Sequence, residues 1–275
     1  MKKILITGNS GYIGSHLSQM LLKKSGYEIH GLDKSKPQIS LAKHYYQDIR
    51  DQSWKMNDSY DCVIHLAAEV SVSRSVSNPI LYYTTNTIGT LNVLKNIDTK
   101  RFVHASTGSA GPMNNPYGIS KRGSEEIVDQ WCKINNIQFT TFRFYNVTGT
   151  DGIEPTNLDG LMWNLMNAQK TGTFNLFGND YNTDDGTAVR DYTHVNEICH
   201  AVSQAIEDST NRIENLGHGV GTTVQQMIDL YKSVNNCDFK VKICPRRDGD
   251  LERSVLDNPS KFMKKIYTIN DLLKV

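Results

Sequence analysis

Three glycines spaced by two residues, Gly8, Gly11 and Gly14, follow directly on the apolar run Ile4-Leu5-Ile6 and open a helical pattern. Glycine at those places permits a tight turn, lets backbone come close to a bound group, and lets the helix pack against the strand. The helix N-terminus then presents free N–H groups to an anion such as a pyrophosphate. A glycine triplet alone matches many loops by chance, so its context decides. Here β-rich runs at Ile4–Thr7, Glu28–Asp33, Cys62–Ala67, Arg101–Ser106 and Phe139–Tyr145 alternate with amphipathic stretches near 13–24, 79–97 and 116–135. Near-continuously apolar strands alternating with helices imply a parallel sheet covered on both faces. The expected fold is α/β: a Rossmann-type doubly wound parallel sheet with a smaller C-terminal substrate-binding lobe. The division is expected at 1–150 and 151–275, the second part carrying helical pieces near 157–170, 194–207 and 222–235.

Composition mostly excludes. A net charge of +1 supplies no electrostatic drive toward nucleic acid or an anionic membrane. The longest apolar runs are far too short to span a bilayer. The start, Met1 to Gly8, puts two lysines before three apolar residues and then glycine, which reads as a strand and not as a signal peptide. Cysteines 62, 132, 199, 237 and 244 are odd in number and contain no CxxC pair. They suit reduced thiols in a cytoplasmic protein, with no metal site expected.

Asp33 lies nineteen residues beyond Gly14, at the end of the second strand. A carboxylate there accepts hydrogen bonds from an adenosine ribose and repels a 2′-phosphate, which favours NAD over NADP. Further along, Asn115-Pro116 reads as N-cap and first residue of a helix. That places Tyr117 and Lys121 at i and i+4 on one face. A phenol, with its ordinary pKa near ~10, needs a neighbouring cation to act as a base near neutral pH. Ser106 ends the preceding strand at the carboxyl edge of the sheet, where ligands bind in such folds. Its hydroxyl is expected to hydrogen-bond the substrate oxygen while Tyr117 exchanges the proton.

These residues, with Asp48-Ile49 and His65-Leu66-Ala67-Ala68, resemble the extended short-chain dehydrogenase/reductases. The second half narrows the likeness to UDP-glucose 4-epimerases. Phe177-Gly178-Asn179-Asp180-Tyr181 through Asp185 to Val195 resembles their substrate-lobe signature, and Pro245 to Leu251 resembles their later arginine motif. The resemblance implies NAD binding by Gly8, Gly11, Tyr12, Ile13, Gly14, Asp33, Asp48, Ile49, Leu66, Ala67, Ala68, Asn86, Tyr117, Lys121 and Phe144. It implies that Ser106, Asn146, Asn157, Leu158, Leu176, Phe177, Arg190, Tyr192, Arg247, Asp250 and Ser254 hold a nucleotide sugar, with arginine suited to the diphosphate. The plainer alternatives are a local Arg190–Asp191 ion pair and a solvated Arg246–Arg247 surface pair. Several features depart from the pattern. The link from Asp33 to Asp48 is too short for a full helix, and only ten residues separate Ser106 from Tyr117. Val70 stands where these epimerases carry a cofactor-binding lysine, and Phe144 where a tyrosine is common.

The implied reaction is NAD-dependent epimerisation at C4 of a UDP-hexose through a transient 4-keto sugar. The small Ser254 points to room for a 2-acetamido group. A nucleotide-sugar dehydratase is disfavoured because Thr107 is followed by Gly108 and Ser109, with no carboxylate. A reductase would consume reduced cofactor steadily, and a non-catalytic NAD-binding regulator would be expected to have lost the Tyr/Lys pair. Helices near 80–97 and 117–135 resemble those of a four-helix homodimer interface, with Ile127, Val128, Trp131 and Ile134 as either interface or core.

Overall fold

The computed structural model describes the whole chain, Met1 to Val275. Its strands are β1 (Lys2–Thr7), β2 (Tyr27–Asp33), β3 (Lys43–Tyr46), β4 (Ser59–Tyr60), β5 (Cys62–His65), β6 (Asp98–Thr99), β7 (Arg101–Thr107), β8 (Gln138–Phe144), β9 (Asn146–Thr148), β10 (Thr173–Phe177), β11 (Val189–His194), β12 (Arg212–Leu216), β13 (Gly221–Thr223), β14 (Lys240–Cys244) and β15 (Arg253–Ser254). The α-helices are α1 (Tyr12–Leu22), α2 (Val72–Ser77), α3 (Pro79–Tyr82), α4 (Gly89–Asn96), α5 (Pro116–Ile134), α6 (Leu161–Thr171), α7 (Val195–Ala205) and α8 (Val224–Val234). None is long and apolar enough to cross a membrane.

The chain forms two compact units, Met1–Arg143 with Cys199–Glu214, and Phe144–Ile198 with Asn215–Val275. The first break lies close to the one expected near residue 150, but Cys199–Glu214 goes back to the first unit. Polar contacts tie it there. The Arg101 guanidinium donates to the Ala205 carbonyl and to Thr140 Oγ1, and the Asn211 side chain accepts from Phe139 N. Nothing local in 199–214 announces those partners.

In the first unit seven strands run in the order β12-β8-β7-β5-β1-β2-β3. Pairing is parallel between β1 and β2, β1 and β5, β2 and β3, and β5 and β7. Ile4, Leu5 and Ile6 are wholly buried at its centre, as the apolar run requires. The order reverses at β1, so β2 leaves on one side and β5 on the other. That is the switch point where open α/β sheets bind ligands. The link from β2 to β3 holds no helix, as its length implied. Instead it delivers β3, a short edge strand of sequence Lys-His-Tyr-Tyr with no apolar alternation to announce it. The helical stretch expected over 79–97 is broken into α3, a π-helical turn over Tyr83–Ile88, and α4. Such π turns widen the backbone and occur often at functional sites. Val128 belongs to the core packed on this sheet, whereas Ile134 is exposed.

In the second unit β10 pairs with β14, and β11 pairs with β9, β13 and β15. Its core gathers Met162, Leu165, Phe174, Met227, Ile228 and Tyr231 from α6, β10 and α8. Thr223 caps α8 in a capping box with Gln226.

Candidate active site

The glycine turn is built as a cradle. Gly8 has φ +76°, and a Cβ there would stand 2.6 Å from Ala67 N. A Cβ on Gly14 would lie 2.1 Å from the Gly8 carbonyl oxygen. No side chain of larger size fits either position. Gly11 caps α1 without a side-chain partner, and no acidic residue occupies the first turn. The N–H groups there suit an anion. Asp33 is aimed by backbone: its Oδ2 accepts from Ser10 N at 3.2 Å and its Oδ1 from Ser35 N at 2.9 Å. These residues fit a dinucleotide in shape and in donor set.

The remaining cofactor candidates divide. Leu66 N donates to Thr7 O, and the Ala67 backbone abuts Gly8, so that run floors the turn. The Ile49 side chain is buried against Gly89, and its carbonyl accepts from Asn92 Nδ2 at 2.9 Å. Asp48 takes a two-pronged bond from Arg50, which holds its carboxyl below the usual range. Asn86 is fully buried, and both of its amide hydrogens are engaged, by Glu69 O at 3.0 Å and Ser120 Oγ at 2.9 Å. Its Oδ1 accepts from Glu69 N at 2.9 Å. Asn86 therefore fastens the loop after β5 to α5. Beneath the turn His65 bridges Thr7 and Thr90. Burial, with Lys121 nearby, holds its pKa down to about 3, and His104 is likewise kept neutral.

Helix α5 starts as its sequence implies, with the Asn115 side chain accepting from Gly118 N at 2.8 Å and Pro116 in the first turn. Gly118 is required for packing, since a Cβ would meet Ser109 O at 2.4 Å. Tyr117 and Lys121 are both buried on the face toward the sheet. Burial pushes the Tyr117 phenol up to about 12, a rise that its hydrogen bond with Thr107 limits. Burial also pulls Lys121 down to about 8 against the opposing effect of Glu125. The ammonium donates to Ala105 O at 2.7 Å. Desolvation, not the lysine, dominates the phenol in this state.

Ser106 is not where the sequence expectation put it. Its Oγ donates to Glu125 Oε1 at 2.5 Å, and Glu125 also takes two hydrogen bonds from Arg143, at 2.8 and 2.6 Å. Alternation along β7 explains this. Phe102 packs with Val128 of α5, His104 bonds Ser124 and Ser106 bonds Glu125, so the even positions face the body of α5. Thr107, the last residue of the strand, is the hydroxyl brought to Tyr117. Its terminal position in the strand was the signal available.

In the second unit the Arg247 guanidinium lies 5.0 Å from the Phe177 ring centre, and its Nε bonds Asp250 at 2.8 Å. Arg190 and Arg247 both act on the buried Tyr192 phenol, opposing the rise that desolvation causes. Asn146 stands in register with Tyr192, and Ser254 with Arg190. Arg190, Asn146, Tyr192 and Ser254 thus lie on neighbouring strands, and Arg247 joins them from the loop between β14 and β15. Leu158 is exposed, Asn157 caps the turn before α6 through Asp159 N, and Leu176 is buried in the core. Phe144 ends β8 and is buried too. The Arg190–Asp191 ion pair does not form. Asp191 instead accepts from the backbone N–H groups of His218, Gly219 and Leu256. Arg246 stacks on Tyr181 and pairs with Asp180 at the surface.

A glycine cradle at the switch point of a parallel sheet, with tyrosine and lysine one helical turn apart beyond its carboxyl edge, defines a dinucleotide-binding enzyme of the short-chain dehydrogenase/reductase class. Residues 4–217 match the model of the NAD dependent epimerase/dehydratase family, and the chain belongs to that family. It is 32% identical to a UDP-glucose 4-epimerase of Halalkalibacterium halodurans, over 90% of this chain and 84% of that protein. It is 28% identical to a putative UDP-arabinose 4-epimerase of Arabidopsis thaliana, over 96% of this chain and 71% of that protein. The crystal structure of UDP-glucose 4-epimerase from Bifidobacterium longum in complex with NAD+ and UDP superposes with a TM-score of 0.88 at 27% identity, covering 98% of this chain and 96% of that one.

Proposed function

We propose that this chain is a NAD-dependent isomerase that inverts C4 of a UDP-hexose through a transient 4-keto sugar. The observation that carries the reading is the buried Tyr117 phenol, hydrogen-bonded by Thr107 and followed one turn later by Lys121. Bound NAD would supply a reversible hydride acceptor for C4. Tyr117 takes the proton of the 4-hydroxyl and later gives it back, which a phenol does best when positive charge stabilises its anion. Lys121 is the cation at hand, and Thr107 donates a hydrogen bond to the same oxygen. Gly8, Gly11, Gly14 and Asp33 would hold the dinucleotide. Arg190 and Arg247 grip the diphosphate and Phe177 packs on the base, so binding energy is placed away from the reacting carbon. Loose holding of the sugar lets either face of the keto group be presented.

Ser254, small and in register with Arg190, supports acceptance of 2-acetamido sugars. Ser254→Tyr should lose activity on N-acetylated substrates while sparing the plain ones, and equal loss on both would sink that extension. Exposed Ile80, Ile88 and Ile119 on the helical face of the first unit support a homodimer, which sedimentation would test. A cytoplasmic setting agrees with five free cysteines. The central experiment incubates the purified chain with UDP-galactose and follows the sugar nucleotides by NMR. UDP-glucose should appear without net change in NADH. No conversion of either UDP-galactose or UDP-N-acetylgalactosamine with NAD supplied would overturn the proposal.

A further inference from the structure

An ion pair crosses the groove in which the dinucleotide turn lies. Strand β1 sits between β2 and β5. Lys34 directly follows β2 and Glu69 lies four residues past β5, yet Lys34 Nζ stands 3.6 Å from Glu69 Oε1. Two strands flanking a third are roughly 10 Å apart. The pair must therefore span the carboxyl end of β1, above Gly8 to Gly14.

Both ends of this bridge are anchored through backbone. Lys34 sits between Asp33, which takes Ser10 N, and Ser35, whose carbonyl accepts Ser10 Oγ at 3.0 Å. Gln38 reaches back to Ser10 O at 3.4 Å. The shortened β2–β3 link is thereby laced onto the glycine turn. Glu69 is held by the Asn86 amide at both its N–H and its carbonyl. Its neighbour Val70 is exposed and apolar, so the loop after β5 brings an acid to the groove and no cation. Arg50 is engaged in its fork with Asp48. Lys34, bridged to Glu69 across the opening, with the Arg50-bound Asp48 carboxylate also within its electrostatic reach, is 55% exposed and able to change partners. A bridge whose lysine end is this exposed and whose charges stand 3.6 Å apart contributes about 1 kcal/mol or less, so exchange is easy.

The geometry points to Lys34 as a pyrophosphate-binding residue of the cofactor site, held over the glycine turn by Glu69 and transferred from that carboxylate to the phosphates when the dinucleotide enters. This assignment rests on the cofactor reading above. It makes Glu69 a competitor for Lys34 as well as its positioner.

The test is equilibrium binding, independent of turnover, of NAD, ADP and adenosine to the wild type, Lys34→Ala and Glu69→Gln. Lys34→Ala should weaken NAD and ADP by about tenfold to a hundredfold, the range of a charge-assisted contact, and leave adenosine unchanged. Glu69→Gln should tighten NAD by up to about fivefold. Unaltered NAD affinity in Lys34→Ala, or an equal loss for adenosine, overturns the assignment alone. Failure of the wild type to bind NAD at all overturns the cofactor reading and this assignment with it. Parallel titration with NADP separates a ribose role: a larger loss there than for NAD would move Lys34 to the 2′-position and refute the pyrophosphate contact.

Discussion

Exchanging the hydroxyls of Ser106 and Thr107 for hydrogen tests which one serves the chemistry. In Thr107→Ala the Tyr117 oxygen loses its hydrogen bond, one that strengthens as charge develops on the phenol. A hydrogen bond to a charged group contributes about 1.5–3 kcal/mol, which translates to roughly a tenfold to hundredfold fall in kcat. Thr107 also accepts from Ser109 N at 3.3 Å, a long bond whose loss affects stability little. Ser106→Ala leaves Glu125, which is nearly inaccessible to solvent, with its two Arg143 bonds but without the third. Depriving a buried carboxylate of one donor costs about 1–3 kcal/mol, a drop in Tm of roughly 2–8 °C for a chain of this size. Its kcat should stay within about threefold of wild type. Thr107→Ser, which keeps the hydroxyl, should recover most of the activity. The assay is kcat from UDP-galactose turnover with Tm measured on the same preparations. A Ser106→Ala variant that melts normally yet loses activity as Thr107→Ala does would refute the argument and restore Ser106 to the reacting centre.

Lys121→Met should stabilise the chain at pH 7. The amine falls from 10.5 to about 8 on folding, so below pH 8 it is charged in both states and its burial destabilises by about 3 kcal/mol. Between about 8 and 10.5 the unfolded chain binds more protons, and the penalty fades as pH rises. Urea midpoints should show the gap between variant and wild type shrinking from pH 7 to pH 10; a constant gap would refute the sign. Arg247→Gln should weaken UDP binding at least tenfold, whereas Arg246→Gln, at a surface pair with Asp180, should leave calorimetric affinity nearly unchanged. Equal effects would dissolve the distinction. Gly14→Ala should abolish NAD binding, since its Cβ would stand 2.1 Å from a backbone oxygen that side-chain motion cannot relieve. Retained affinity in a fluorescence titration would show the turn to be more plastic than it looks.

Features with local causes were legible in the residues alone. Within the glycine turn, the positive φ of Gly8 and the approach of Gly14 to the Gly8 carbonyl are local demands, and the start of α5 follows from Asn115 and Pro116 alone. Tyr117 and Lys121 share a face because helix geometry puts i and i+4 together. The missing helix after Asp33 is a matter of length. Whatever depends on which distant group fills a neighbouring volume emerged only on packing. Ser106 is claimed by Glu125 and Arg143, which lie on α5 and β8. Asn86 is consumed by Glu69 and Ser120, and Leu176 by the core of the second unit. Arg190 and Arg247 converge on Tyr192 from segments more than fifty residues apart in the chain. A hydroxyl, an amide or a guanidinium has the same local preferences whether it faces a ligand or a buried partner. Only the packed sheet and its helices supply the partner that settles the choice.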